Sequence, residues 1–178
     1  VVGETTVVQS RQPFNPDVDP YDDEMIVSTN IRPGNYIFLA VGVERKWYDG
    51  RNGRPGYYSR SWSMLPVGGD EKRPATLPDD WRWQYSSTDV ISPTNSTGRL
   101  IAALLGVESI EDMASIKRGD YLNRYVVASI VLTDRGYNQL APDTTFAPLT
   151  EDIWNSWKWS KGSKELPEAQ FAESEDGF

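Results

Sequence analysis

From Asn35 to Tyr48 apolar side chains recur at every second residue: Ile37, Leu39, Val41 and Val43. A helix would scatter these four around its axis, whereas an extended chain places them on one face, so the segment is expected to be a half-buried strand. Asp49-Gly50-Arg51-Asn52-Gly53-Arg54-Pro55-Gly56 follows as a turn-rich loop, and Tyr57–Leu65 is the second strand candidate. Gly68 to Pro78 is polar and Pro-containing and reads as a loop, and Trp81–Tyr85 is a short aromatic strand. Tyr125–Thr133, rich in β-branched residues, is the strongest strand of the chain. Asp134-Arg135-Gly136 then turns it back into Tyr137–Leu140.

Helical spacing is confined to three places. Ser92-Pro93 opens a stretch in which Leu100, Ile101, Leu104 and Leu105 share a face, and Gly106 is placed as its C-terminal cap. Ser109-Ile110-Glu111-Asp112 has capping-box form and predicts a second short helix with Ile110, Met113 and Ile116 inward. Thr150–Trp159 predicts a third, with Ile153, Trp154 and Trp157 on one face. The order is therefore three strands, a helix, then a two-strand hairpin. That order fits a mainly-β, five-stranded OB-type barrel with its helix between strands 3 and 4. Residues 1–30, with Pro13, Pro16 and Pro20 among scattered acids, read as an N-terminal arm. Residues 31–149 form the barrel domain, and 150–178 a Trp-rich segment followed by a disordered acidic tail.

The composition removes whole classes of chemistry. There is no Cys and no His, hence no ordinary zinc site, no Ser–His or Cys–His nucleophile pair and no disulfide. The carboxylate clusters Asp22-Asp23-Glu24 and Asp79-Asp80 adjoin no candidate nucleophile and read as solvated loop acids. No catalytic residue, metal site or cofactor is expected, and the chain reads as a binding protein. No apolar run approaches the 18 or more residues of a membrane span, so no membrane partner is expected and the location is expected to be cytoplasmic. The chain opens on Val1, as a trimmed or processed chain would.

Charge is segregated. The net charge is −8, which opposes a polyanionic ligand for the chain taken whole. Yet between Arg45 and Trp62 five cations (Arg45, Lys46, Arg51, Arg54, Arg60) stand against the single Asp49. The same region begins a run of aromatics comprising Trp47, Tyr48, Tyr57, Tyr58, Trp62, Trp81, Trp83 and Tyr85. Bases stack on ring faces while cations track phosphates, so this mixture suits single-stranded nucleic acid. Trp62, alternating with Tyr58 and Met64, is expected in the core. The phosphate contacts fall to the five cations, and stacking to Trp47, Tyr48, Tyr57, Trp81, Trp83 and Tyr137.

The chain resembles the OB-fold single-stranded-DNA-binding proteins of bacteriophages. The resemblance is carried by Arg32-Pro33-Gly34-Asn35-Tyr36, by Ser92-Pro93 with Leu100-Ile101-Ala102-Ala103-Leu104-Leu105-Gly106, and by Arg135-Gly136-Tyr137-Asn138. The acidic end with Glu173, Glu175, Asp176 and the terminal Phe178 completes it. It implies sequence-tolerant binding of single-stranded DNA in replication or recombination, in the host cytoplasm if phage-encoded. It also implies that the tail recruits replication or recombination proteins, an aromatic ring and carboxylate docking into a basic pocket. A homo-oligomer is compatible with it. Two rival readings are a carbohydrate-binding module, whose ring platforms need no cations, and a viral structural or assembly protein with its aromatics at subunit contacts.

Overall fold

The computed structural model describes residues 30–160 and Gln170. The expected N-terminal arm and the tail residues Glu173, Glu175, Asp176 and Phe178 lie outside the described residues. The chain folds as β1 (Gly34–Tyr48), β2 (Tyr57–Gly69), β3 (Trp83–Thr88), α1 (Ser96–Leu105), α2 (Arg118–Tyr121), β4 (Tyr125–Leu132), β5 (Asn138–Leu140), β6 (Ala147–Pro148) and α3 (Glu151–Trp157). The protein is mainly β, a curled antiparallel half-barrel of five strands in the order β3-β2-β1-β4-β5, with β6 paired to β4.

β1 is the hinge of the sheet. Its first half, Gly34–Leu39, pairs with β4, while Tyr36–Tyr48 pairs with β2 as a long hairpin. Register slips where Ala40 faces Met64 and Gly42 faces Ser63, so Val41 is an extra residue. A bulge of this kind bends the strand and reverses which face later residues take. The expectation that Ile37, Leu39, Val41 and Val43 share one half-buried face is corrected on both counts. Ile37, Leu39 and Val41 face one cluster, with Leu65, Val67, Tyr125, Val127, Leu149 and the α3 residues Ile153, Trp154 and Trp157. Val43 falls instead in the main core with Phe38, Ala40, Trp62, Met64, Leu100, Ile101 and Leu104. Both faces of the first half of β1 are buried, one by α1 and the other by α3.

Two side-chain networks tie the sheet to its surroundings. The Trp62 indole donates to Ser87 Oγ at 2.8 Å, and Thr97 at the start of α1 donates to the same oxygen at 2.6 Å. At the open ends of the half-barrel, Trp83 Nε1 donates to the Asn138 carbonyl at 3.3 Å, linking β3 to β5 through a side chain. The Asn138 amide in turn binds both Ile31 N and Ile31 O, at 3.0 and 2.8 Å. Tyr36, whose hydroxyl donates to Arg32 O at 2.7 Å, has its pKa pushed up to about 12 by burial and by Asp70 and Glu71.

α1 ends where expected: Gly106 has φ 73° and, with Val107, donates back to Ala103 and Ala102 carbonyls. Its start is later than Ser92-Pro93, because Asn95 Oδ1 accepts from Gly98 N at 2.9 Å and serves as the N-cap. The second helix expected from Ser109 is absent. Met113–Ser115 is a single 3₁₀ turn and the four-residue α2 begins only at Arg118. The spacing Ile110, Met113, Ile116 repeats at three throughout, the period of a 3₁₀ turn and not of an α-helix. β3 likewise begins at Trp83 and runs to Thr88, three residues beyond the aromatic stretch. α3 begins after Thr150, whose hydroxyl accepts from Ile153 N at 3.2 Å.

Candidate nucleic-acid interface

The far end of the β1–β2 hairpin carries four exposed aromatic rings. Trp47 is 52% exposed, Tyr48 39%, Tyr57 59% and Tyr58 43%, the sort of apolar surface a soluble fold normally covers. Directly opposed residues of an antiparallel pair share a face and successive residues alternate. Trp47 opposes Tyr58 and Tyr48 opposes Tyr57, so the ribbon bears one aromatic pair on each face. Trp47 meets Tyr58 edge-on at 4.8 Å between centroids, and Tyr48 stacks on Tyr57 at 5.5 Å.

The Trp47–Tyr58 pair is held in place by neighbours. Trp47 Nε1 donates to Asp49 Oδ1 at 2.9 Å. The indole also lies against Gly56, where an added Cβ would come within 2.2 Å of the Trp47 ring. Asn52 and Gly53 both have positive φ, and Arg54 N donates to Arg51 O at 3.0 Å, closing the loop into a tight Asn-Gly turn. The Arg45 guanidinium lies 3.5 Å over the Tyr58 ring centroid, a cation–π contact. Arg45 is also bidentate to Asp89, with Nε and Nη2 donating at 2.8 Å each. This pairing holds the Asp89 carboxyl below the usual carboxylate range. Arg60 Nε donates to the Asp89 carbonyl at 2.7 Å, so Asp89 anchors both arginines behind the Trp47–Tyr58 pair.

The five cations therefore differ in how free they are. Arg45 is neutralised by Asp89, and Lys46 lies 3.2 Å from Glu44. Arg51 and Arg54 stand exposed on the loop and make no ion pair among the described residues, while Arg60 donates to the Asp89 carbonyl and also helps hold the Asp89 carboxyl low. Glu44 and Asp89 lie outside the Arg45–Trp62 window, which is why the sequence alone made the stretch look more basic than it is.

Not every expected stacking residue lies here. Trp83 is corrected: it is buried, packed on Phe38, Tyr85 and Phe146, and offers no ring face to solvent. Trp81 is half-buried against the same core. Trp83 opposes Met64, six residues along β2 from Tyr58, so it and Trp81 are set back about 20 Å from the aromatic ribbon. Tyr137 is exposed in the β4–β5 turn, next to the Asn138 that Trp83 binds, and shares that remote position. Tyr58 is the residue the sequence reading left out of the site. Its signal is its register opposite Trp47, which needs the hairpin pairing to be known. A scan against protein-family models and a search of curated proteins find nothing that matches this chain.

Proposed function

We propose that the protein binds single-stranded DNA without sequence specificity, protecting it during phage-type replication or recombination. The observation that carries this reading is the ribbon end, where exposed, positioned ring pairs lie beside Arg51, Arg54 and Arg60. Rings that stack on any base, together with cations that follow the backbone, bind strands irrespective of sequence. An OB-type barrel is the finer reading of the half-barrel. It is supported by β1 being shared between β2 and β4, and the loop after β1 is where such barrels grip oligonucleotides. The role is binding and not catalysis, and the acidic tail is the recruiting element for replication or recombination proteins. A cytoplasmic setting goes with this role, and among the described residues no helix is long and apolar enough to cross a membrane.

The second reading is a carbohydrate platform, favoured by the pairing of Arg45 and Lys46 with acids, since sugar rings stack on aromatics without needing free cations. Tryptophan fluorescence titration with oligo-dT at several salt concentrations separates the two. With Arg51 and Arg54 unopposed by an acid among the described residues and Arg60 shared with Asp89, a log–log salt slope of about −1.5 to −2 is expected for DNA. Absence of binding to oligo-dT, or equal affinity for duplex, excludes the proposed function. Binding to an oligosaccharide that ignores salt establishes the second reading.

A further inference from the structure

We infer that the β1–β2 hairpin works as a wedge, with one single strand engaging both of its faces and crossing over the Arg51–Arg54 tip. The inference rests on the single-stranded-DNA reading and adds the path the strand takes. A ribbon that offered one binding face would carry polar side chains on the other. Here the last two cross-strand pairs are aromatic on both faces, Trp47–Tyr58 on one and Tyr48–Tyr57 on the other, and all four rings are exposed.

The cations follow the same course. Arg45 and Arg60 share the face of Trp47 and Tyr58, by alternation and by the contact of Arg45 with the Tyr58 ring. Lys46, opposite Ser59, shares the face of Tyr48 and Tyr57. Arg51 and Arg54 sit on the loop that joins the two strands, where a ligand passing from one face to the other would cross. With Arg45 paired to Asp89 and Lys46 to Glu44, unpaired positive charge is concentrated at the tip, between the two ring pairs. Ring pairs on opposite faces of a sheet are separated by roughly the 10 Å of sheet packing, so the nucleotides between the two stacked bases would span the tip.

The test uses the full chain and oligo-dT of increasing length, with Trp47→Ala and Tyr57→Ala as one variant per face and Tyr137→Ala as a remote control. Thermal melts accompany each titration. If the strand engages both faces, each hairpin variant weakens binding about 5- to 150-fold, while Tyr137→Ala leaves it unchanged. Trp47→Phe and Tyr57→Phe restore most of the loss. Oligo-dT carrying a photoreactive thymine should crosslink, in one 1:1 complex, to peptides containing Trp47 or Tyr58 and to Tyr48 or Tyr57 across the ribbon. Loss confined to one face overturns the wedge while leaving DNA binding intact. No binding of oligo-dT by the unaltered protein overturns both. A DNA-independent dimer that either substitution dissociates assigns the ribbon to a second copy and overturns the wedge as well.

Discussion

Trp47 and Trp62 lie in the same hairpin and have opposite fates because of the direction each faces and what lies there. Trp62 is fully buried, its N–H satisfied by Ser87, whereas Trp47 stands over Gly56 at the exposed end with its N–H on Asp49. At the residue scale the informative test is Asp89, which holds Arg45 in place but also cancels its charge. Asp89→Asn should leave Arg45 free to meet a phosphate. Single-strand affinity should then rise at low salt and the log–log slope steepen by about 0.7. An unchanged slope would mean that Arg45 already contacts the ligand despite its partner. The pH dependence has a definite sign. The hydrogen bond from Arg45 lowers the Asp89 pKa, so the pair is present above the ordinary carboxylate range and opens only as pH falls through the depressed value. A carbon-detected NMR titration of the Asp89 carboxyl reads this directly, with a midpoint below that of an ordinary aspartate.

The hairpin as an element depends on how closely its loop folds back. An added Cβ at Gly56 would meet the Trp47 ring at 2.2 Å and the Tyr48 carbonyl at 2.8 Å, so neither a rotamer change nor a small shift of one group relieves both. Gly56→Ala should therefore displace Trp47 from its seat. The expected outcome is an altered Trp emission, weaker oligo-dT binding and a melting temperature lowered by only a few degrees, since no core residue is involved. An unaltered emission spectrum would show that the close approach of Gly56 and Trp47 does not hold the indole. The same element shows where sequence reading succeeds and fails. The strand period and the turn chemistry of Asn52-Gly53 are local, and both were legible. The pairing of Trp47 with Tyr58, and hence the place of Tyr58 in the site, follows from register, which two separated segments decide together.

Across the whole molecule, charge and anchoring act together. The Gln170 side chain bonds both Tyr125 N and Tyr125 O, at 3.2 and 3.1 Å, so the last eight residues of the chain start from the beginning of β4. Tyr125 opposes Leu39, seven residues along β1 from Lys46, a path of about 23 Å. Asp176, six residues beyond Gln170, reaches at most about 21 Å when extended, and Glu173 and Glu175 less, so the acids approach the base of the ribbon. On the proposed function these acids compete with DNA for the hairpin cations. Truncation after Gln170 keeps the anchor and should tighten oligo-dT binding, most at low salt where screening is weakest. It should also abolish capture of a replication partner. Phe178→Ala, which alters no charge, should lose the partner and leave DNA affinity unchanged. Equal affinity before and after truncation would remove the tail from the binding equilibrium.

The sequence by itself determined the strand-rich order of elements, α1 with its Gly106 cap, a helix within Thr150–Trp159, and the coincidence of cations and aromatics at the hairpin. These are local properties, set by side-chain period, backbone preference and nearest neighbours. Only the tertiary structure decided which aromatics remain exposed. Trp83 and Trp47 are chemically alike and both neighbour basic residues, but Trp83 closes the core against Phe38 and Phe146 while Trp47 extends past it. It also decided that the bulge at Val41 turns Val43 to the face opposite Ile37 and Leu39, and that Asp89, distant in sequence, neutralises Arg45. Burial and pairing depend on what other segments bring to the same place, and a linear pattern carries no record of that.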